Sequence, residues 1–313
     1  MKSKTHHPQL HEIRLKPMGY TLLVSSNSSA IIDTARTAFG RFGEPVADAP
    51  VDFTFRMFAH NQSTGKSPGT PRFRRDGNLL HQSAGYDNTL AADLAAGAAF
   101  GYLSQAVVQN VSFLRRHFLE LALFQMLETR GWMGVHAAAP AKNGQAILLR
   151  APAGGGKSTL TFAGLRSGFQ LLSEEVTWIA PGGDVWWGIP WWLHLLPDAR
   201  HLFPELAGFE PVLQANGEMK LEIDVERFRP GSTIFTAQPG PLVFLERTPD
   251  GTSQLEQIDE AAARKLWPAA QTGLESQLAH HSAHINRLLQ RPVFRLTAGD
   301  DIQANLNLLE SLF

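Results

Sequence analysis

The chain has 313 residues, 43% of them apolar, and 28 Lys and Arg stand against 29 Asp and Glu. So even a balance argues against recognition of nucleic acid or an anionic membrane by bulk charge. The absence of cysteine excludes disulfides, thiolate metal sites and a cysteine nucleophile.

The length suits two domains. Met1 to Pro8 lacks the apolar core of a signal peptide, and no run of about 18 apolar residues is present. These features lead us to expect a soluble, cytoplasmic protein. Residues 1–130 read as a smaller N-terminal α/β domain. Tyr20 to Val24 reads as a strand, and Ser28 or Ser29 would cap a helix through Phe42, ended by Gly43 and Pro45. Val51 to Phe58 alternates at period two, as a half-buried strand does. The segment around Gly65-Lys66-Ser67 has His60 at the first-glycine position of a phosphate-loop pattern and Pro68-Gly69 after it, so it reads as a polar turn. Asp76-Gly77 signals a hairpin within Arg72 to Gln82. Ala91 to Gln105 is alanine-rich and is expected to be partly helical, with a strand open for its second half. Ser112 begins a broadly apolar helix to about Thr129.

The second domain, residues 131–313, carries the chemistry. An apolar strand, Ala146 to Leu149, leads into Ala151-Pro152-Ala153-Gly154-Gly155-Gly156-Lys157-Ser158-Thr159, and a helix follows to Arg166. Strand, glycine-rich loop and helix in that order are the setting of a phosphate-binding loop, here with Ala151 in place of the first glycine. Glycines let backbone N–H groups turn inward around phosphates, and the helix N-terminus adds partial positive charge. Lys157 would reach the β- and γ-phosphates of ATP, and the Ser158 hydroxyl would ligate Mg²⁺. Further strands are expected at Phe169–Leu172, Val176–Ala180, Val185–Gly188, Leu242–Leu245 and Val293–Thr297. Helices are expected at Glu260–Ala270, Leu274–Leu289 and from about Asp301.

The pair Glu174-Glu175 follows one helix and one short strand after Lys157. Gly134-Val135-His136-Ala137 precedes the loop strand. Loop, acid pair and His136 together resemble the HPr kinase/phosphorylase superfamily over roughly residues 130–310. The chain as a whole resembles its HprK-related kinase A group. That resemblance implies a fold of the HPr kinase and PEP carboxykinase type, Mg²⁺ and ATP as cofactors, and transfer to a serine of a small protein or peptide. It also implies a tendency to assemble as a homo-oligomer. The acid pair would supply the general base and part of the metal site. We favour Glu174 as base and Glu175 as metal-side acid, and the residues leave that order open. Lys220 would contact phosphate and Glu222 would help hold the metal, while His136 either orients the acids and phosphate or is a buried strand histidine. Two departures stand out. The family usually has Asp-Asp where this chain has Glu-Glu, and its second, glycine-rich signature has no clear match, so reverse phosphorolysis is not expected.

His280, His281 and His284 read as a solvated helix face, since no third ligand or intervening Glu makes a zinc motif. Trp186, Trp187, Trp191 and Trp192 read as core, with Trp191 or Trp192 partly exposed. A non-kinase P-loop ATPase and a nucleotide-binding sensor without catalysis are the alternative readings. No Asn-Lys-x-Asp and no Leu-Ser-Gly-Gly motif favours a GTPase or a transporter.

Overall fold

A computed structural model describes residues 10–61, 68–214, 217–249, 251–267 and 279–313. The chain is mixed α/β with several sheets, and it divides into two compact units, Met1–Arg130 and Gly131–Phe313. The Gly65-Lys66-Ser67 triplet and Met1 to Pro8 lie outside the described residues.

In the first unit, β1 (His11–Leu15) pairs antiparallel with β2 (Leu22–Ser26), and α1 (Ser29–Phe39) crosses over to β3 (Phe53–His60), parallel to β2. The meander β4 (Pro71–Asp76), β5 (Leu79–Ala84), β6 (Thr89–Asp93) and β7 (Ala98–Ser104) follows, giving a seven-stranded sheet in the order β1-β2-β3-β7-β6-β5-β4. Asp76 pairs with Leu79 around a two-residue Gly77-Asn78 turn, as the hairpin signal predicts.

One expectation fails here. Ala91 to Gln105 holds two strands and a tight turn rather than a partial helix, and the strand left open for its second half is β7. Leu90, Ala92, Ala99 and Leu103 are buried while Ala91, Asp93, Phe100 and Tyr102 are exposed, a period of two. The Asp93 carboxylate accepts from the N–H groups of Ala95 and Ala96 and closes the turn locally. Alanine's helix propensity yields to this tertiary arrangement. The chain then forms α2 (Gln105–Gln109), α3 (Val111–Leu114) and α4 (Leu121–Thr129). A wider turn of π type at Arg115–Glu120 joins α3 to α4, so the expected single helix carries an irregularity.

In the second unit, β8 (Met133–His136), β9 (Ala139–Lys142) and β10 (Gln145–Arg150) lead to α5 (Lys157–Arg166). Then come β11 (Gln170–Ser173), β12 (Val176–Ile179) and β13 (Trp186–Trp187). A separate three-stranded sheet, in the order β14-β16-β15, contains β14 (Trp192–Leu195), β15 (Pro211–Leu213) and β16 (Met219–Asp224). The chain continues through α6 (Val225–Phe228), β17 (Thr236–Arg247), β18 (Gln254–Ile258), α7 (Glu260–Leu266), α8 (Ala279–Leu289), β19 (Val293–Ala298) and α9 (Ile302–Glu310). Among the described residues the main sheet has nine strands. Its path runs β11-β9-β10-β17-β13-β12-β8, and β19 joins β17 and carries β18. β10 and β19 both lie parallel to β17.

The apolar run on β10 follows from this position. Ala146 and Leu148 enter one core cluster with Leu288 and Leu289 of α8, whereas Ile147 and Leu149 enter another with Leu160 of α5 and Leu306 and Leu309 of α9. A strand covered on both faces is apolar at every position rather than at alternate ones. A third cluster joins Phe162 and Leu165 of α5 to Leu193, Leu195, Leu221 and Ile223 of the small sheet.

Trp186 and Trp191 are buried and Trp187 and Trp192 half-buried, in keeping with a core role. The histidines of α8 require a correction. His281 and His284 are buried rather than solvated, and His284 Nε2 hydrogen-bonds the Gly131 carbonyl at 2.8 Å. They share the helix face of Ile285 and Leu288, which packs into the core. The side chain of His280 lies outside the described residues, as do residues 268–278, which hold the expected end of α7 and start of α8.

Candidate active site

The site forms where β10 runs into α5. Gly154 (φ 75°) and Gly156 (φ 90°) adopt left-handed backbone angles, and Gly156 is the residue from which α5 starts. Any other residue type would be strained at these two positions. A Cβ on Gly155 would lie 2.7 Å from the Ala151 Cβ. The Gly155 N–H donates to the Pro152 carbonyl at 3.0 Å, folding the loop back on itself. Pro152, Ala153 and Gly154 are exposed, while Ala151 and Lys157 are buried. The Lys157 ammonium turns back over the loop and donates to the Ala151 carbonyl at 2.8 Å and the Pro152 carbonyl at 3.4 Å. Burial and the nearby Arg150 guanidinium lower its pKa, while Glu174 and Glu175 work against that shift.

The acid pair occupies the bend between β11 and β12. The Ser173 and Thr177 hydroxyls bond each other at 2.6 Å across this bend, and Thr177 Oγ1 donates to the Ala137 carbonyl at 3.1 Å. The Ala137 N–H donates to the Glu175 carbonyl at 3.1 Å. These contacts hold the bend against the end of β8, where His136 stands in register with Val176.

Glu174 is bound at both oxygens. Oε1 accepts from the Ser158 hydroxyl at 2.6 Å, and Oε2 lies 3.2 Å from His194 Nδ1. On its other side His194 Nε2 lies 3.5 Å from Glu222 Oε2. A continuous polar chain therefore runs Ser158, Glu174, His194, Glu222. Burial alone would raise the Glu174 pKa. The hydrogen bond and charge of His194, the Ser158 hydroxyl and Lys220 outweigh burial, and the net shift is downward. Glu174 is thus held as a carboxylate although its side chain is only 11% exposed. Glu175 is exposed. Burial, with Lys157 and Arg150 nearby, pushes the half-buried His136 down to about 4, so its imidazole is neutral at pH 7.

Of the residues singled out in the sequence, Lys157, Ser158 and Glu174 come together directly. His136, Glu175 and Lys220 lie within electrostatic range of them. Glu222 reaches Glu174 through His194. Lys220 is ion-paired with Glu218 at 3.1 Å, and Thr159 sits half-buried in the first turn of α5.

Sequence reasoning missed His194 and Arg150. The signal for His194 is present in Leu193-His194-Leu195. Both leucines are buried, so the histidine faces the other way, in register with Glu222 across β14 and β16. Arg150 is fully buried, with its guanidinium 3.9 Å from the centre of the Trp267 ring.

The donor set suits magnesium. A hydroxyl and an ionised carboxylate 2.6 Å apart are hard oxygen ligands, and Mg²⁺ takes one or two such groups together with water and phosphate oxygens. Among the described residues no cluster of three or more His, Asp and Glu side chains would hold a metal without such help.

No family model matches this chain. No curated protein matches it either. Among the solved structures that match is the Hpr(Ser) kinase/phosphatase from Coxiella burnetii, 13% identical with a TM-score of 0.31. The match covers 57% of this chain and 87% of that one. Among the described residues no helix is long and apolar enough to cross a membrane.

Proposed function

We propose that residues 131–313 are a P-loop domain of the HPr kinase and PEP carboxykinase type. On this reading the domain uses Mg²⁺ and ATP to phosphorylate a hydroxyl, that of a serine on a small protein or peptide. The observation that carries the reading is the 2.6 Å contact between Ser158 and Glu174 beside Lys157, at the head of a helix entered through left-handed glycines.

ATP would supply the phosphoryl group, and Mg²⁺ would neutralise its charge. The chain would do the rest. The loop N–H groups and Lys157 would hold the phosphates, with Lys220 at the edge. Ser158 and Glu174 would hold the metal, and the Glu174 carboxylate is kept ionised for that task. Both of its oxygens are engaged, which leaves the exposed Glu175 better placed to accept the proton of the attacking hydroxyl. This reverses the order favoured from the sequence. Neutral His136 would sit beside the acids without adding charge, and Glu222 would act through His194. The N-terminal unit would recognise the acceptor.

The test is transfer of label from γ-labelled ATP, with Mg²⁺, to proteins and peptides of a lysate, with Lys157→Ala and Glu174→Gln alongside. Label on a discrete acceptor, lost in both variants, supports a kinase. Phosphate release with no labelled acceptor replaces that reading with an ATPase. ATP binding with neither outcome replaces it with a sensor.

A further inference from the structure

Among the described residues, the N-terminal sheet is covered on one face only. Phe53, Phe55, Met57, Leu80 and Leu90 are buried on one side, and the other side of β3, β7, β6, β5 and β4 is open. Strand register aligns Arg56, Phe100, Ala91, His81 and Arg74 in one row across these five strands. The next row carries Phe58, Tyr102 and Arg72. Each row spans roughly 19 Å at about 4.8 Å per strand.

Phe100 is 51% and Tyr102 42% exposed at the middle of a sheet. Arg56, Arg72 and Arg74 are exposed, and among the described residues none of the three forms an ion pair. On these five strands neither row carries an acid; Glu12 continues the first row on β1, two strands from Arg56. Asp76 and Asp93 lie in a third row, and the Asp93 carboxylate is already bonded to the N–H groups of its own turn. The bias extends to the whole unit. Residues 1–130 hold fourteen Lys and Arg against ten Asp and Glu, whereas residues 131–313 hold fourteen against nineteen. Aromatic and arginine side chains together, with small residues between them, are the composition of a protein-binding surface.

We propose that this face docks an acidic peptide segment with apolar side chains among its carboxylates. Its carboxylates would pair with Arg56, Arg72 and Arg74, and its apolar side chains would lie on Phe58, Phe100 and Tyr102. Single-stranded nucleic acid fits less well. Three arginines neutralise few phosphates, and nucleic-acid affinity grows with that number. The aromatic rings are also engaged with one another. His60 stacks on Tyr102 at 4.2 Å, and Phe58 lies 5.5 Å from Phe100, so they are not separate platforms for successive bases. The inference stands on this surface alone and does not need the phosphoryl-transfer reading.

The test is fluorescence anisotropy of the full chain with three labelled probes: a Glu-rich peptide containing Phe and Leu, its Lys-for-Glu counterpart, and an oligo(dT). Saturable binding of the acidic peptide alone is expected. It should weaken about tenfold in Arg56→Glu and again in Arg74→Glu, and fall with added salt. Both sites are exposed, and circular dichroism checks that the variants stay folded. Binding unchanged by charge reversal, no binding of the acidic peptide, or tighter binding of oligo(dT) would each overturn the proposal.

Discussion

The two sheets solve the same problem differently. The nine-stranded sheet of residues 131–313 is covered on both faces, so β10 is apolar at each position from Ala146 to Leu149 and its polar chemistry gathers at its end, at Arg150 and the loop. The seven-stranded sheet of residues 1–130 is covered on one face, so its strands alternate and, among the described residues, a broad surface stays open. A doubly covered sheet offers its strand ends, where helix N-termini and backbone N–H groups gather. A singly covered sheet offers its area. The first arrangement suits a small charged ligand and the second an extended partner.

The comparison breaks most sharply at Lys157. Replacement with Ala should lower phosphoryl transfer about a thousandfold while leaving peptide binding by the N-terminal sheet unchanged, as paired transfer and anisotropy assays would show. Stability separates the two faces of one sheet. Phe55→Ala should destabilise the first unit by about 3–5 kcal/mol, because Phe55 is fully buried, whereas Phe100→Ala on the open face should change it by less than about 0.5 kcal/mol. The aromatic residues allow each unit to be followed by itself in urea. All three Tyr lie in residues 1–130 and all seven Trp in residues 131–313.

His194→Ala should sharpen the picture of the strand-end site. Loss of the partner that holds Glu174 should cut transfer by about 10- to 100-fold, and His194→Gln should recover part of it. If both variants act as the native chain does, Glu174 is oriented by other groups.

The remaining effects concern pH, and they run in opposite directions. Burial raises Glu128, in the first unit, from 4.5 to about 7, against the pull of Arg75 and Gln125. The folded state favours its protonated form. That contribution is complete below pH 4.5 and is lost as pH rises through 7, and Glu128→Gln should flatten the slope. His136, in the second unit, is lowered from 6.5 to about 4, so the folded state favours the neutral ring. Its contribution is complete above pH 6.5 and is lost as pH falls towards 4. Tyr emission should therefore report weakening with rising pH, and Trp emission weakening with falling pH.

What was legible in the sequence follows the range of the forces involved. The Asp76-Gly77 hairpin, the entry to α5 and the Asp301 cap of α9 are decided within a few residues, and each stands where local chemistry puts it. Ala91 to Gln105 was misread as partly helical, apart from the strand left open for its second half, because alanine suits a helix locally, while its buried positions are set by strands far along the chain. β15 is only three residues long and β18 is largely polar, and their pairing is visible only once β16 and β19 are placed. At the site, loop and acid pair are close in sequence and were read together. The His194 contact depends on a register between β14 and β16, 28 residues apart at His194 and Glu222, which no local pattern encodes. The buried face of α8 was misread for the same reason, since His284 finds its partner at Gly131.

On the proposed reading, the resting position of Lys157 would act as a filter. Its ammonium already has two carbonyl partners, so an arriving anion gains only the difference between its own attraction and theirs. A singly charged ion recovers little by displacing them. A polyphosphate, able to engage the lysine and several loop N–H groups at once, recovers much more. On that reading, a loop that satisfies its own cation would discriminate by charge before any reaction begins, and would be less easily occupied by small anions.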